Sequence, residues 1–550
     1  MNFSLTSKAK TLLVYLVPVA LISPSLIWIK LDKSVWGWDQ AVYGKGSVEL
    51  FYVLIHSPER WFRRLNIPQA QAPGVSWLGQ FFVPVGYLFG SIDVGLLISI
   101  ILTQAVALLL MYRVFRELSD GNTLVAITGC VAIGSAPLFV ALSHQYLTEP
   151  LQLLAVSWFV LIMTLAPKWN RAFTLSQLLA ATPVAMLAKV SSPLYCAGPA
   201  LVALWYVFRP AAFPNKSGGK NITLSIFFVA GLLLNVAAVR WYSRNITRVV
   251  EHVSASSFGP FAEVYGKADT FLNTMLRWLG SLLNNFFLPI VSVLISALCL
   301  LAVILYLIRK RSLRGHFTTC TLFALLQIII VLSMFSFSPS REVRYLLPLL
   351  PYAGLVICWS LAQIASPILT GLAIVVFLTQ FASTYGQALG LWSRDSRTPG
   401  WLMRPNSDSG ERERRVLDAI VAKTCTDIQP QRYLNLVGIE KPWLNEHSAN
   451  YLAAKHRVLH KPVGCVYGSF GWETDPAKIS NSLLSSVRYY ITMDPSANPV
   501  PEGDLHLKAI NVNYLPTLKR VQSSTSFELQ PALPEDHTIW IFRRNENKLR

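Results

Sequence analysis

The chain has few charged residues for its length. Of its 550 residues, 14% are charged and 53% are apolar, and its mean hydropathy is +0.43. A soluble domain usually carries about 25% charged residues, so this deficit excludes an ordinary water-soluble enzyme and also a disordered chain. The apolar residues fall in blocks of roughly 20, which is the helix length that crosses a ~30 Å hydrocarbon core. The sequence therefore predicts a polytopic α-helical membrane protein.

Several motifs of soluble chemistry are also missing. The chain has no Cys-x-x-Cys pair, no His/Cys zinc spacing, no Walker phosphate loop and no Gly-x-Gly-x-x-Gly. An ATP-driven pump and a nicotinamide enzyme therefore have no support. Cysteine is scarce, and five of the seven lie in or beside apolar blocks. The other two, Cys425 and Cys465, are open to two interpretations: a disulfide in an oxidising compartment, or two buried thiols.

Acidic residues are fewer than basic ones, 29 against 48, which gives a net charge of +19. Residues 1–386 carry 27 Lys and Arg against 12 Asp and Glu, whereas residues 387–550 carry 21 against 17. Basic residues beside apolar blocks fix membrane orientation and contact anionic headgroups. No basic run interleaved with aromatics lies outside those blocks. The charge therefore predicts membrane lipids, and not nucleic acid, as a partner.

The apolar blocks predict about eleven membrane-spanning helices, with an error of two. They are residues 11–29, 92–115, 123–141, 149–166, 174–190, 193–208, 221–240, 285–308, 317–336, 343–363 and 365–385. Lys8 and Lys10 precede the first block, and basic residues are denser in the loops then assigned to the cytoplasm. This pattern predicts a cytoplasmic N-terminus and an extracytoplasmic C-terminus.

The composition changes after residue 386. We predict a transmembrane domain over 1–386, including a first outer loop of about 30–91, a linker over 387–410, and an extracytoplasmic α/β or α+β domain over 411–550. Short apolar runs predict strands, and longer mixed segments predict helices. The strands are 432–437, 464–470, 487–493 and 538–542, and the helices are 412–423 and 445–455.

Ionisable residues near the outer ends of the spans are candidates for a site, because membrane helices avoid charge. Asp39 lies about ten residues past the first span; it is either a solvated loop residue or a functional carboxylate. Glu149 opens the fourth span, where the helix dipole favours a negative charge. It is either a helix-end residue or, with His144, a site for a divalent cation or a sugar hydroxyl.

Three cations accompany these carboxylates. Lys189 lies at the outer end of the fifth span, and Arg341 and Arg344, three residues apart, share one helical face before the tenth. Arginine suits bidentate contacts with phosphate. Contact with lipid headgroups is the alternative interpretation for each cation.

The order of motifs in the chain resembles the GT-C superfamily of integral-membrane glycosyltransferases, in particular the bacterial branch related to protein O-mannosyltransferases and lipid A aminoarabinose transferases. The similar segments are WDQAVY (38–43), APGVSWL (72–78) leading to FG (89–90), YLTEPL (146–151), AKVSSP (188–193), WYSRN (241–245) and RYLLPLLP (344–351). The resemblance covers roughly residues 11–385, and such enzymes usually add an outer C-terminal domain. One departure is that QAQA (69–72) stands where the family often has a second proline and a basic residue.

The resemblance implies a glycosyltransferase of the bacterial cytoplasmic membrane. Its donor would be a polyprenyl-phosphate sugar and its acceptor a hydroxyl of a glycan, lipid or protein at the outer face, with inversion at the anomeric carbon. Asp39 would be the general base. The other implied roles are donor phosphate binding by Lys189, Arg341 and Arg344, acceptor or metal binding by Glu149 and His144, and lipid or sugar contact by Trp38, Tyr43 and Tyr345. A divalent metal is possible, and neither the sugar nor the acceptor is implied.

Two other functions stay open at this point. A lipid-linked saccharide transporter would show pseudo-repeats and polar breaks at mid-membrane, and the sequence has no internal repeat. A polysaccharide polymerase or ligase would use the same kind of donor. Its catalytic region would be a late outer loop, for which residues 241–285 are the candidate, with Arg240, Arg244 and Arg248 four residues apart.

Overall fold

The computed structural model describes residues 7–66, 69–209, 221–258, 266, 269–309, 315–393, 402–425, 434–459, 465–470, 484, 486–497 and 508–545. These residues form two compact units. The first comprises the described residues of Met1–Ile29, Phe62–Leu78 and Leu97–Arg404, and the second those of Lys30–Trp61, Gly79–Leu96 and Pro405–Arg550. Residues 394–401 of the predicted linker lie outside the described residues.

Long apolar helices make up most of the first unit. In chain order the helices from the N-terminus to the end of this unit are α1 (Ser7–Leu31), α2 (Trp38–His56), α3 (Pro58–Arg64), α4 (Gly74–Gly79), α5 (Val83–Leu88), α6 (Ile92–Leu118), α7 (Thr123–Gly134), α8 (Pro137–Ser143), α9 (Glu149–Leu165), α10 (Arg171–Ala188), α11 (Ser192–Phe208), α12 (Asn221–Ser257), α13 (Phe271–Phe286), α14 (Pro289–Arg309), α15 (Gly315–Ser336), α16 (Leu350–Ile364) and α17 (Pro367–Ala388). Of these, α2, α3 up to Trp61, α5 and the start of α6 belong to the second unit.

Every predicted span contains a helix of the described structure. By length and composition, six helical segments among the described residues are long and apolar enough to cross a membrane, and a seventh is the bent pair α7 and α8, which are inclined by 62°. Pro137 opens α8, and the missing proline N–H explains the break. Three further apolar helices are shorter: Leu16–Leu31, Glu149–Leu165 and Ser192–Phe208. The polytopic membrane fold is therefore confirmed.

The second unit contains a five-stranded mixed sheet of order β2-β1-β3-β5-β4. Its strands are β1 (Leu434–Val437), β2 (Tyr467–Gly468), β3 (Val487–Met493), β4 (Phe527–Leu529) and β5 (Ile539–Arg544). Strand β1 pairs in parallel with β2 and β3, whereas β5 pairs antiparallel with β3 and β4. Helices α18 (Asp408–Thr424), α19 (Glu446–Leu459) and α20 (Lys508–Ser523) also belong to the described part of this unit. The four predicted strands and two predicted helices are confirmed, while β4 and α20 were not predicted.

Most of the predicted first outer loop belongs to this second unit. Val35 packs against the buried core that includes Leu417, Leu452 and Ile491. The rings of Trp36 and Tyr451 stack with centroids 5.2 Å apart. The sequence prediction placed residues 30–91 with the membrane helices, so the observed division into units differs from it. The contacts that tie this loop to the second unit join residues hundreds of positions apart, and such contacts leave no pattern in the sequence.

A buried ionic cluster secures the start of α6 within the same unit. Asp93, which is 6% exposed, accepts two hydrogen bonds of 3.1 Å from Lys455 Nζ, one to each carboxylate oxygen, and one of 2.9 Å from Arg414 Nη2. The Tyr451 hydroxyl donates to the same carboxylate. A buried charge is tolerated only when it is paired and hydrogen-bonded, so this carboxylate acts as a polar anchor for the loop.

Cys425 and Cys465 form a disulfide, with their Cα atoms 5.5 Å apart. The bond joins the residue that follows α18 to the segment that precedes β2. The five other cysteines are free thiols: Cys130, Cys196, Cys299, Cys320 and Cys358. Of the two interpretations left open by the sequence, the structure therefore has the disulfide, which is the form expected in an oxidising compartment.

The disulfide gives a direct test of the fold. We expect alkylation of the denatured, unreduced protein to label five thiols, and alkylation after reduction to label seven, as counted by intact-protein mass spectrometry. Replacing both Cys425 and Cys465 by serine should lower the free energy of unfolding of the second unit by about 2–4 kcal/mol. The matched control, Cys196→Ser, should leave the difference of two labels unchanged. Seven labels without reduction would contradict the bond.

Candidate active site

The carboxylate of Glu149 is the centre of a buried ionic cluster in the first unit. Glu149 is fully buried as the first residue of α9. Its Oε1 atom lies 2.5 Å from Lys189 Nζ and 3.5 Å from Arg344 Nε. Its Oε2 atom accepts a hydrogen bond of 3.4 Å from the hydroxyl of Thr148. Two of the three predicted phosphate-binding cations therefore meet at this carboxylate. We call Glu149, Lys189 and Arg344 the Glu149 cluster.

Local sequence explains how the cluster is built. Pro150 stands at the second position of α9, where its missing N–H costs no hydrogen bond. Lys189 caps the C-terminus of α10 in an extended backbone conformation. Arg344 lies in a 3-10 turn, Val343–Leu349, before α16. Three separate elements thus each contribute one charged side chain.

Tyr345 also contacts Lys189. Lys189 Nζ lies 4.0 Å from the centroid of the Tyr345 ring, a cation–π contact. The hydroxyl of Tyr195 donates a 2.6 Å hydrogen bond to the Tyr345 carbonyl, which fixes the 3-10 turn. The structure therefore brings Tyr345, predicted as a lipid or sugar contact, together with the Glu149 cluster.

The cations of the cluster remain partly accessible. The side chain of Lys189 is 22% exposed and that of Arg344 is 12% exposed, whereas that of Glu149 is 0% exposed. Arg344 Nε also lies 3.2 Å from Glu342 Oε2. The carboxylate is therefore buried beside two cations that keep some exposure to their surroundings, an arrangement that could also bind a phosphate oxygen.

Arg341 has a different partner. Its Nη2 atom lies 4.0 Å from Asp269 Oδ2, and Arg277 Nη2 lies 3.0 Å from the same oxygen. Arg341 was predicted to bind phosphate together with Arg344 because both share one helical face. The chain from Val343 to Leu349 forms a 3-10 helix, and the structure places Arg344 beside Glu149 and Arg341 beside Asp269. Phosphate binding by Arg341 stays a prediction.

His144 lies in a separate polar cluster. It is 4% exposed, its ring stacks on Trp28 with centroids 4.2 Å apart, and its Nε2 atom lies 3.2 Å from Ser25 Oγ. Ser25 Oγ in turn lies 2.7 Å from Ser143 Oγ and 2.9 Å from the Tyr385 hydroxyl. These contacts pack α1 against the end of α8 and give His144 a structural environment.

The described residues contain no group of three His, Cys, Asp or Glu side chains that could hold a metal ion. Two cations already neutralise the Glu149 carboxylate, and His144 contacts other residues. Glu149 and His144, as the structure describes them, do not fit a divalent cation.

Asp39 lies in the second unit, in the first turn of α2, and is half-buried. The helix dipole at this position stabilises the ionised carboxylate. Tyr43, one turn further along α2, is 7% exposed. Trp38, which opens the helix, is 45% exposed and has a φ of +42°, a conformation that residues with a side chain rarely adopt.

The sequence did not single out Glu440, which contacts this turn. Glu440 follows β1, and its Oε1 atom accepts a 2.5 Å hydrogen bond from Trp38 Nε1. The two residues are 402 positions apart, and no local pattern links them. The only feature of the sequence that could have suggested Glu440 is its position close after the end of a predicted strand.

Comparisons with solved structures identify the fold. ArnT from Cupriavidus metallidurans, bound to undecaprenyl phosphate, matches 98% of this chain and 99% of its own with a TM-score of 0.55 at 15% identity. The same protein in the apo state matches 98% of each chain with a TM-score of 0.54 at 16% identity. No family model matches the chain, and no curated protein matches it by sequence. This likeness shows that the chain shares its fold with ArnT, in agreement with the fold class expected from the motif order.

Proposed function

We propose that this chain is a membrane glycosyltransferase that moves a sugar from a polyprenyl-phosphate donor to an acceptor hydroxyl. The observation that carries the proposal is the Glu149 cluster on this fold: two partly accessible cations, from two separate elements, beside one buried carboxylate. A structure that shares the fold over nearly its whole length is bound to undecaprenyl phosphate. The phosphate group of such a lipid is the part that Lys189 and Arg344 would bind.

The proposed reaction is a direct displacement. The acceptor oxygen attacks the anomeric carbon while its proton passes to the Asp39 carboxylate, and the bond from that carbon to the phosphate oxygen breaks. A single attack inverts the anomeric configuration. The donor phosphodiester leaves as a phosphomonoester, which carries one more negative charge. Cations placed beside that phosphate stabilise the transition state more than the ground state.

Lys189 and Arg344 are the residues to which we assign the phosphate. A phosphate at this point shares the cations with Glu149 and Glu342. The two cations attract the doubly charged phosphomonoester more strongly than the singly charged phosphodiester, because the Coulomb energy grows with the charge on the phosphate. Tyr345 holds the Lys189 ammonium in place and offers an aromatic surface to lipid or sugar.

The proposed setting is the bacterial cytoplasmic membrane, with the N-terminus in the cytoplasm and the second unit outside. The disulfide supports this orientation because such bonds persist outside the cytoplasm. The acceptor is a glycan, lipid or protein that presents a hydroxyl at the outer face.

The decisive experiment compares surface glycans, lipids and glycoproteins of cells with and without the protein by mass spectrometry. We expect one sugar to disappear from one class of acceptor and its polyprenyl-phosphate donor to accumulate. An unchanged acceptor profile with unchanged donor levels would overturn the proposal. Accumulation of a lipid-linked precursor on the cytoplasmic side alone would indicate transport instead.

A further inference from the structure

The loop before Asp39 is held by residues of the C-terminal part of the second unit. Trp36 stacks on Tyr451, and Trp38 donates its indole N–H to Glu440. Between them, Gly37 lies so close to the carbonyl oxygen of Pro442 that a Cβ atom on it would come within 2.3 Å of that oxygen. Three consecutive residues are therefore fitted to one surface, and a side chain at position 37 has no room.

The hydrogen bond to Glu440 acts at the point where the chain enters α2. Trp38 has a φ of +42°, and a tryptophan has no intrinsic preference for this region. The helix begins at this residue, with the amide of Ala41 bonded to the Gly37 carbonyl at 3.3 Å. The backbone rotation at Trp38 determines the direction of the next side chain, which is that of Asp39.

The charge on Glu440 is sensitive to pH near neutrality. Burial raises the pKa of the Glu440 carboxyl to about 7, against the lowering effect of the Trp38 hydrogen bond. The neighbouring Glu446 carboxylate contributes to this rise in pKa, and Glu446 itself lies 3.4 Å from His447 Nε2. An ionised acceptor makes a hydrogen bond roughly twice as strong as a neutral one, so the restraint on Trp38 strengthens as the pH rises through about 7.

We propose that Glu440 is a positioning residue for glycosyl transfer: by binding Trp38 it holds the left-handed backbone turn that directs the Asp39 carboxylate. The C-terminal part of the chain thus contributes to the proposed reaction without touching the reacting atoms. This inference rests on the proposed role of Asp39 as general base.

The test is a double-mutant cycle of Glu440→Gln and Trp38→Phe, assayed as the rate of sugar transfer in membranes to the acceptor found by the mass-spectrometric comparison. At pH 8 we expect each single variant to lose about 5- to 10-fold in kcat, since each removes one charge-assisted hydrogen bond. The double variant should lose no more than the worse single variant, because both act through one contact. Glu446→Gln, which faces Glu440 without bonding Trp38, should keep the wild-type rate at pH 8.

The pH profile separates positioning from a structural role. The wild-type protein should lose activity as the pH falls through about 7, whereas Glu440→Gln should show no such step, so the two rates converge near pH 5.5. If Glu440→Gln does not fold, Trp38→Phe with Glu440 intact should show the same loss of the step. Wild-type kcat and pH profile in both variants would overturn the positioning role; retained transfer by Asp39→Asn would instead overturn the proposed base.

Discussion

Asp39→Asn should reduce sugar transfer by about 10²- to 10⁴-fold, the usual contribution of a general base. The amide has the shape of the carboxylate but cannot accept the acceptor proton at neutral pH. Expression, membrane insertion and thermal unfolding should be unchanged, because an asparagine in the first turn of α2 can still accept a hydrogen bond from a backbone N–H. Transfer is measured in membranes with the native donor and acceptor.

Asp408 provides a matched control for this variant. It also lies in the first turn of a helix, α18, and it is exposed. Asp408→Asn removes the same charge from the same kind of position, so it should retain wild-type transfer. Comparable losses in both variants would point to helix stability instead of proton abstraction. Near-normal turnover by Asp39→Asn would exclude this residue as the base.

The helices of the membrane region could be predicted from the sequence because length and apolar composition are local properties. The block at 92–115 corresponds to α6, Ile92–Leu118, and the block at 317–336 to α15, Gly315–Ser336. The largest difference is the block at 221–240, because α12 continues to Ser257. Its second half contains Arg240, Arg244 and Arg248, and charged residues end an apolar pattern without ending a helix.

Part of the candidate site was also accessible from the sequence. Lys189 and Arg344 were predicted to act together because both are cations near the outer ends of spans, and the structure places both on Glu149. Their pairing with this carboxylate, and that of Arg341 with Asp269, could not be predicted. Helix packing and the 3-10 turn decide which of the nearby charged side chains form ion pairs. Neither can be recognised from a periodic pattern in the sequence.

The contacts that join the first loop to the C-terminal part of the chain had no signal in the sequence. Asp93 and Lys455 are 362 positions apart, and Trp38 and Glu440 are 402 apart. A single sequence predicts neither these two side-chain contacts nor the compact unit that they help to form. Helix α20 was missed for a local reason, since Pro516 interrupts its pattern, and β4 was missed because three residues are too few to show alternation.

Arg344→Ala should weaken the binding of undecaprenyl phosphate to the purified protein by about 10- to 100-fold, since a hydrogen bond to a charged group is worth about 1.5–3 kcal/mol. The binding is measured in detergent micelles by native mass spectrometry. Arg277→Ala is the matched control, because Arg277 is also an arginine in an ion pair, but its carboxylate partner is Asp269 and it does not belong to the Glu149 cluster. It should bind as tightly as the wild type, and Arg344→Lys should fall between, because lysine keeps the charge without the planar fork.

Glu149→Gln should have the opposite effect on the same measurement. The amide leaves the shape of the cluster intact but removes the negative charge that Lys189 and Arg344 share, so the two cations become available to an incoming phosphate and the lipid should bind more tightly. A structural role for the cluster predicts only a loss of stability, because the two partly buried cations then lose the carboxylate that both contact, and Arg344 keeps Glu342. Tighter binding by Glu149→Gln together with weaker binding by Arg344→Ala would thus assign the phosphate to this cluster, and weaker binding by both would assign the three side chains to packing alone.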